Sequence, residues 1–313
     1  TLGKLYTCGN NSEGQLGQNQ ASLQISSPVQ VGSDSTWNKL YASGSYTAYA
    51  TKTDGTLWGW GANNSGMLGQ NEGPSAKKSS PVQIPGTTWS TVANTQLGGA
   101  FVGGIKTDGT LWMWGKNEEG QLGNNLRQND GVSSPIQIPG TTWSHVSGGQ
   151  NITMATKTDG TAWAWGNNGW GPLGQNNRTT CSSPVQIPGT NWASIDAGER
   201  LGGGVKTDGT LWMWGYKGYG SLGQNQSNVH YSSPVQIPGT TWSTSVDDLM
   251  VGQYLTMAMK TDGTLWSWGY NNKGQAGLNN LTSYSSPIQI PGTEWTSIEH
   301  SIYQSAMAIK TPT

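Results

Sequence analysis

Apolar and polar positions alternate in short runs along this chain, and the runs return at a regular interval. In Thr110-Leu-Trp-Met-Trp-Gly115, Trp112 and Trp114 fall on one face of an extended segment, and Leu111 and Met113 on the other. Both faces are apolar, which predicts a strand in a sheet sandwiched between two others. A polar loop of the form Asn-x-x-Gly-Gln-Leu-Gly-x-Asn follows. Its glycines permit positive φ, and its amides satisfy backbone groups locally. After a variable segment, Ser-Ser-Pro-Val-Gln-Ile-Pro-Gly predicts a short Val-Gln-Ile strand with a proline marking each end. Gly-Thr-Thr-Trp then leads into a third strand, such as Trp143 to Ser147. A fourth, Ile152 to Lys157, runs into Thr-Asp-Gly, a hairpin signal between two strand-like runs.

The whole pattern repeats. The Asp of its turn falls at Asp54, Asp108, Asp159, Asp208 and Asp262, at intervals of 54, 51, 49 and 54 residues. Ser-Ser-Pro recurs with its proline at Pro28, Pro81, Pro135, Pro184, Pro234 and Pro287. The units align as residues 2–55, 56–109, 110–160, 161–209, 210–263 and 264–313. Four short strands per unit predict an all-β fold: one six-bladed β-propeller of four-stranded blades over residues 1–313. Thr1–Gly9 is the first strand of the pattern without its preceding turn, and Ser301–Thr311 is the last strand with nothing after it. The N-terminal strand is therefore expected to pair with the C-terminal strands and close the ring, one strand from the start joining three from the end.

Composition modifies this picture in two places. The hydrophobic fraction is only 33%, low for a globular core, yet seventeen tryptophans are present. Burying one such ring removes about 150–250 Å² from water, so a few per repeat replace many aliphatics. Sixteen of the seventeen lie on the repeat grid, six after Gly-Thr-x or its equivalent and ten in Trp-x-Trp pairs, which makes packing their expected role. Charge is sparse: 11% of residues, with a net charge of −1. Nucleic acid is not an expected partner, because phosphate binding needs clustered Lys and Arg. Here the lysines are spread round the repeats (Lys52, Lys106, Lys157, Lys206, Lys260, Lys310), and Arg127, Arg178 and Arg200 are the only arginines. No apolar run is long enough to insert in a membrane. The chain opens at Thr1 rather than Met, as a processed protein or a segment of a longer one would.

No catalytic constellation is legible, and no cofactor or metal is implied. His145, His230 and His300 have no ligand partners at metal-binding spacing, and Cys8 and Cys181 are expected to be free thiols. The repeated Asp residues read as turn residues rather than general bases. No calcium or phosphate loop occurs. Asn10, Asn63, Asn151, Asn177, Asn225 and Asn280 head Asn-x-Ser/Thr triplets, which Asn-rich loops generate by chance.

The spelling Thr-Asp-Gly-Thr-Leu-Trp-x-Trp-Gly-x-Asn-x-x-Gly-Gln-Leu-Gly resembles the repeat of the regulator of chromosome condensation family, six times over essentially the whole chain. The resemblance implies a propeller with four-stranded blades. Members usually carry seven blades, whereas this chain spells six. The family often places His before Ser or Thr at the start of its fourth strand. Here that place reads Tyr46, Phe101, Ile152, Leu201, Leu255 and, approximately, Gln304. The functions the resemblance implies are diverse: nucleotide exchange with chromatin binding, ultraviolet sensing, β-lactamase inhibition and surface roles. The insertion wedge of the exchange factors, the basic tail of the chromatin binders and the arginine wealth of the ultraviolet sensors are all missing. The uniform Ser-Ser-Pro-Val-Gln-Ile-Pro-Gly-Thr-Thr-Trp spelling is similar to phage structural or tail-fibre-like proteins and bacterial surface proteins.

In a repeat protein the frame is shared and function sits on variable loops. The one tryptophan off the grid, Trp170, occupies a loop position held elsewhere by Glu13, Ser65, Glu119, Tyr219 and Lys273. Tyr216 and Tyr270 lie in the same class of loop, and His230, Tyr231 and Tyr284 in the variable segment that follows. Two readings stand: these rings cover hydrophobic blade edges, or they form a binding surface for a protein or a neutral glycan. The function expected is that of a non-enzymatic structural and binding module. The leading expectation is a phage virion appendage, located on a virion or cell surface. It would dock to virion or surface proteins, or touch host-surface glycans, and oligomerise through assembly. The alternative is a soluble or secreted regulatory or inhibitory propeller that binds a protein.

Overall fold

The computed structural model describes residues 3–22, 24–42, 46–94, 99–226, 230–299 and 307–311. Every extended sheet in it is an antiparallel meander. In the best example, Trp143–Gly148, Ile152–Lys157, Ala162–Gly166 and Cys181–Gln186 pair in chain order. Five such four-stranded sheets occur among the described residues, with first strands Trp37–Ala42, Trp89–Asn94, Trp143–Gly148, Trp192–Ala197 and Leu249–Val251. The first strand of each lies against the first strand of the next, so the sheets stack face to face around their inner strands.

The alternation of the third strand works as its sequence requires. Leu111, Met113 and Trp114 are all fully buried, and only the outer Trp112 is half-buried. The second Trp of each pair (Trp60, Trp114, Trp165, Trp214, Trp268) lies between sheets. Its indole Nε1–H donates to a loop carbonyl of the preceding sheet: Gln15, Met67, Gln121, Pro172 and Ser221, at 2.6–2.9 Å. A second link runs onward. The backbone N–H of Asn19, Asn71, Asn125, Asn176 and Asn225 donates to the Ser carbonyl of the next outer strand at 2.6–2.8 Å. That approach needs Gly171 and its counterparts. Gly171 has φ +83°, and a Cβ there would lie 2.8 Å from the Ser232 Cα.

The Thr-Asp-Gly-Thr turns are built from their own side chains. Asp159 Oδ1 accepts from the Thr161 backbone N–H and hydroxyl at 2.9 and 2.7 Å, and Thr161 Oγ1 in turn accepts from Trp163 Nε1 at 2.9 Å. The same relay recurs at Asp54, Asp108, Asp208 and Asp262. These hydrogen bonds hold each Asp carboxyl below its ordinary value, with the Thr hydroxyl the largest cause. The long loop is pinned by its buried first Asn. Asn168 Oδ1 accepts from Leu173 N–H at 3.1 Å, while its Nδ2 donates to Asn177 O at 3.1 Å. Asn63 does the same and is only 2% exposed, which closes that Asn-x-Ser triplet to glycosylation.

Three expectations change. The proline of Ser-Ser-Pro lies inside its strand rather than at its end, as in Cys181–Gln186. This is the outermost strand, where a missing N–H costs no ladder bond, and the register shifts beside it. The sheets are also out of phase with the sequence repeat. Pro-Gly ends the outer strand, so the chain crosses to the next sheet at the following Trp. Each repeat thus holds the last two strands of one sheet and the first two of the next. Consequently the ends divide two and two, not one and three: Tyr6–Gly9 pairs with Ile25–Gln30, and Trp295–Glu299 with Met307–Lys310. No pairing joins these two half-sheets among the described residues. Tyr6, Met307 and Ile309 stay more than half exposed there, at 52, 59 and 53%. His300 and Gln304 lie outside the described residues. Cys8 and Cys181 are free.

Candidate functional site

In an up-and-down meander, the end of strand one, the start of strand two, the end of strand three and the start of strand four share one edge of the sheet. The variable residues fall at that edge. Trp170 sits in the loop after Ala162–Gly166, Tyr216 and Tyr219 in the loop after Leu211–Gly215, and Tyr270 just past Leu265–Gly269. His230 immediately precedes the outer strand Tyr231–Ile237.

The structure draws five of the seven predicted residues into one chain of rings. Trp170 meets Tyr216 edge-on and His230 at a tilt, both with centroids 5.0 Å apart, and Tyr216 stacks on His230 at 5.2 Å. Tyr219 packs on Tyr270 at 4.4 Å. The bridge between these groups is Tyr254, 6.2 Å from Tyr216 and 5.1 Å from Tyr219. Arg200 lies 5.8 Å from both Trp170 and Tyr216, and its Nε pairs with the buried Glu199 carboxylate at 3.0 Å. Trp170 and Tyr219 keep 36 and 54% exposure. Tyr219 has φ +58°, a left-handed backbone that a bulky residue adopts rarely.

Tyr231 and Tyr284 do not join. Tyr231 packs on the core between its own sheet and the next, and the Tyr284 hydroxyl accepts from Asn280 Nδ2 at 3.3 Å. Tyr254, Arg200 and Glu199 were missed in the sequence because they occupy the short turn between strands one and two, which reads as frame. The signal was there: the residue before the second strand is Asn151, Arg200 and Tyr254 in successive repeats.

His230 also repairs a break in the frame. In this repeat Lys217 replaces the pinning Asn, and its backbone N–H donates to His230 Nδ1 at 3.2 Å. The ring is thus an acceptor at Nδ1. Burial, and then the nearby Lys217 and Arg178 charges, push its pKa below the ordinary value, favouring the neutral form. Burial, and then the Glu199 charge, raise the Tyr254 hydroxyl. The surface is therefore mainly aromatic, with the Arg200, Arg178 and Lys217 cations beside it, suited to packing against a partner. The described residues contain no cluster able to hold a metal ion.

A family model described as an RCC1-like domain matches residues 1–308. The chain belongs to this family. Among its relatives, the ultraviolet-B receptor UVR8 of Arabidopsis thaliana is 26% identical over 235 residues, covering 74% of the chain. The E3 ubiquitin-protein ligase HERC2 of Mus musculus is 26% identical over 325 residues, covering 99% of it. The chain spans about half the length of the first (52%) and 7% of the second. Yeast RCC1 (Prp20), solved bound to Kap60, superimposes with a TM-score of 0.77 at 16% identity, over 99% of this chain and 78% of that one. At that identity the likeness establishes the propeller fold of the RCC1-like domain and not its partners.

Proposed function

We propose that this RCC1-like domain is a non-catalytic, protein-binding propeller of regulatory or inhibitory character, which grips its partner with the Trp170–Tyr216–His230–Tyr254–Tyr219–Tyr270 surface. The observation that carries this reading is the joining of loops from three successive sheets into one exposed aromatic patch beside Arg200. Binding hot spots favour this composition. Yeast RCC1, solved with Kap60 on it, supports a propeller of this family as a protein-binding scaffold. The relatives reported above favour such a module over a virion appendage. We further propose that the two half-sheets join as the sixth blade of a closed ring. The apolar side chains left exposed on both half-sheets, Tyr6 on one and Met307 and Ile309 on the other, support that closure.

The test places p-benzoylphenylalanine at Tyr219 and irradiates the protein in an extract of its source. One stoichiometric protein adduct is expected, and it is lost in a Trp170→Ala, Tyr216→Ala background that keeps its circular dichroism. A panel of microbial surface polysaccharides forms the second arm. Polysaccharide binding without any protein adduct would overturn the reading in favour of a glycan receptor.

A further inference from the structure

At the opposite ends of the same strands lies a second repeated arrangement that the aromatic patch does not use. The lysine at the end of the second strand, or just past it for Lys260, extends between two tryptophans: Lys106 between Trp89 and Trp112, Lys157 between Trp143 and Trp163, Lys206 between Trp192 and Trp212, and Lys260 between Trp242 and Trp266. Each ammonium lies 4.2–5.0 Å from both rings. None of these four lysines has an ion-pair partner among the described residues.

Next to each ammonium is a second donor. The indole N–H groups of Trp89, Trp192 and Trp242 are buried without an acceptor, in rings only 4, 3 and 1% exposed. Trp143 Nε1 reaches Pro139 O at 3.3 Å. At Lys157 and Lys206 both donors flank the bare face of the Pro-Gly glycine, whereas Gly86 faces Lys106 Nζ and Gly239 faces Trp242 Nε1. A Cβ on Gly189 would lie 3.2 Å from Lys206 Nζ and 3.8 Å from Trp192 Nε1, and one on Gly140 3.5 Å from Lys157 Nζ and 3.2 Å from Trp143 Nε1. At Lys260 the arrangement opens into a cavity of about 350 Å³, walled by Gln224, Asn225, Pro238, Trp242 and Trp266. Two convergent donors, one of them cationic, call for an anionic oxygen.

The first repeat displays that oxygen for the cationic donor, while Trp37 Nε1 remains without an acceptor. Its spelling is Val-Gly-Ser-Asp-Ser-Thr-Trp, one residue longer than the Ile-Pro-Gly-Thr-Thr-Trp of the second. The extra segment supplies Asp34. Its Oδ2 lies 2.5 Å from Lys52 Nζ, which itself sits 4.9 and 3.9 Å from Trp37 and Trp58. Asp34 Oδ1 accepts from the Thr36 N–H and hydroxyl. Asp34 lines the equivalent cavity, of about 380 Å³. Of the six homologous lysine positions, Lys310 beside Trp295 included, the first is thus filled by the carboxylate of the chain itself.

We propose that the pockets at Lys106, Lys157, Lys206 and Lys260 each take up the carboxylate of an Asp or Glu side chain from an acidic peptide segment of a partner protein. A peptide carboxylate is the occupant that the first repeat already accommodates. An acidic sugar fits less well, because the lysine stems and ammoniums already cover the indoles a pyranose would stack on. Pockets on successive sheets favour a segment with several acids, since each engaged carboxylate raises the effective concentration of the next. The proposal shares no residue with the aromatic patch, so either can fail alone.

The test is lysine footprinting of the whole chain. Amines are acylated with and without a hexa-aspartate peptide, and each lysine is read by mass spectrometry. Hexa-asparagine and tetragalacturonate serve as comparison ligands. Acylation of the four pocket lysines is expected to slow about twofold at half-saturating hexa-aspartate. Lys52 should be unaffected in the parent and become peptide-protected in Asp34→Asn. Lys260→Met keeps the stem over both rings and should lower affinity about tenfold, the loss of one hydrogen bond to a charged group. Equal slowing at the exposed Lys39 and Lys273, no slowing at any pocket lysine, or protection by tetragalacturonate but not by the peptide would each overturn the proposal.

Discussion

The linkage between sheets rests on shared acceptors, and this makes a quantitative prediction. Gln121 O accepts twice from the next sheet, from Thr153 Oγ1 at 2.7 Å and from Trp165 Nε1 at 2.8 Å. Gln121, Thr153 and Trp165 are all fully buried. Thr153→Val removes one donor and leaves the carbonyl satisfied, a cost of about 1 kcal/mol. Trp165→Phe removes the other donor and some ring volume, about 2–3 kcal/mol together. The double variant leaves the carbonyl buried with no donor at all. That adds a desolvation penalty of about 1–2 kcal/mol beyond the sum of the singles. The lost ring volume is common to both arms of the cycle and cancels. Urea unfolding of the four proteins, followed by tryptophan fluorescence and circular dichroism, measures the coupling. The pair Thr256 and Trp268 converges on Ser221 O in the same way, at 3.1 and 2.9 Å, and should repeat the result. Additivity within about 0.5 kcal/mol at both places would refute the idea that one carbonyl carries two inter-sheet donors.

Further predictions follow from the seam, the histidine and the turns. If the half-sheets join in the register of the complete sheets, where Tyr49 opposes Gly59, then Thr7 faces Met307. Thr7→Cys with Met307→Cys, in a Cys8→Ser background, should then oxidise to an intramolecular disulfide, and a persistently reduced pair would exclude that closure. His230 has a folded pKa below its usual 6.5, so the unfolded chain takes up the proton first as pH falls. Stability should therefore decline on acidification below about 6.5, and His230→Gln should flatten that slope. A slope unchanged by the substitution would count against the Nδ1 acceptor role. The turn carboxylates are depressed below 3.8, so their contribution is complete above that pH and lost as pH falls through their folded values. Acid unfolding should accordingly begin below pH 3.8 and release cooperatively. Asp→Asn in all five turns keeps the Oδ1 acceptor and should make the transition shallower in a pH titration of ellipticity.

What the sequence determined by itself is local or periodic. The Asp-Gly-Thr turn is legible because its hydrogen bonds close within three residues, and the Leu and Trp of the third strand because alternation alone sorts them to two faces. The shared loop position of Trp170 and Tyr219 follows from alignment of the repeats, and the meander then brings both to one edge. The tertiary structure decided what depends on where the chain changes sheet. A period near fifty residues is the same wherever its origin is placed, so it could not reveal that each repeat straddles two sheets or that the ends divide two and two. Pro184 could sit within a strand only because that strand proved outermost. Tyr254 and Arg200 joined the patch through contact between neighbouring sheets, and no spacing along the chain encodes that distance. Lys260, Trp242 and Trp266 are separated along the chain, and only the Trp242–Lys260 bridge and the pairing of the neighbouring strands set a cation and an unsatisfied indole N–H around one cavity.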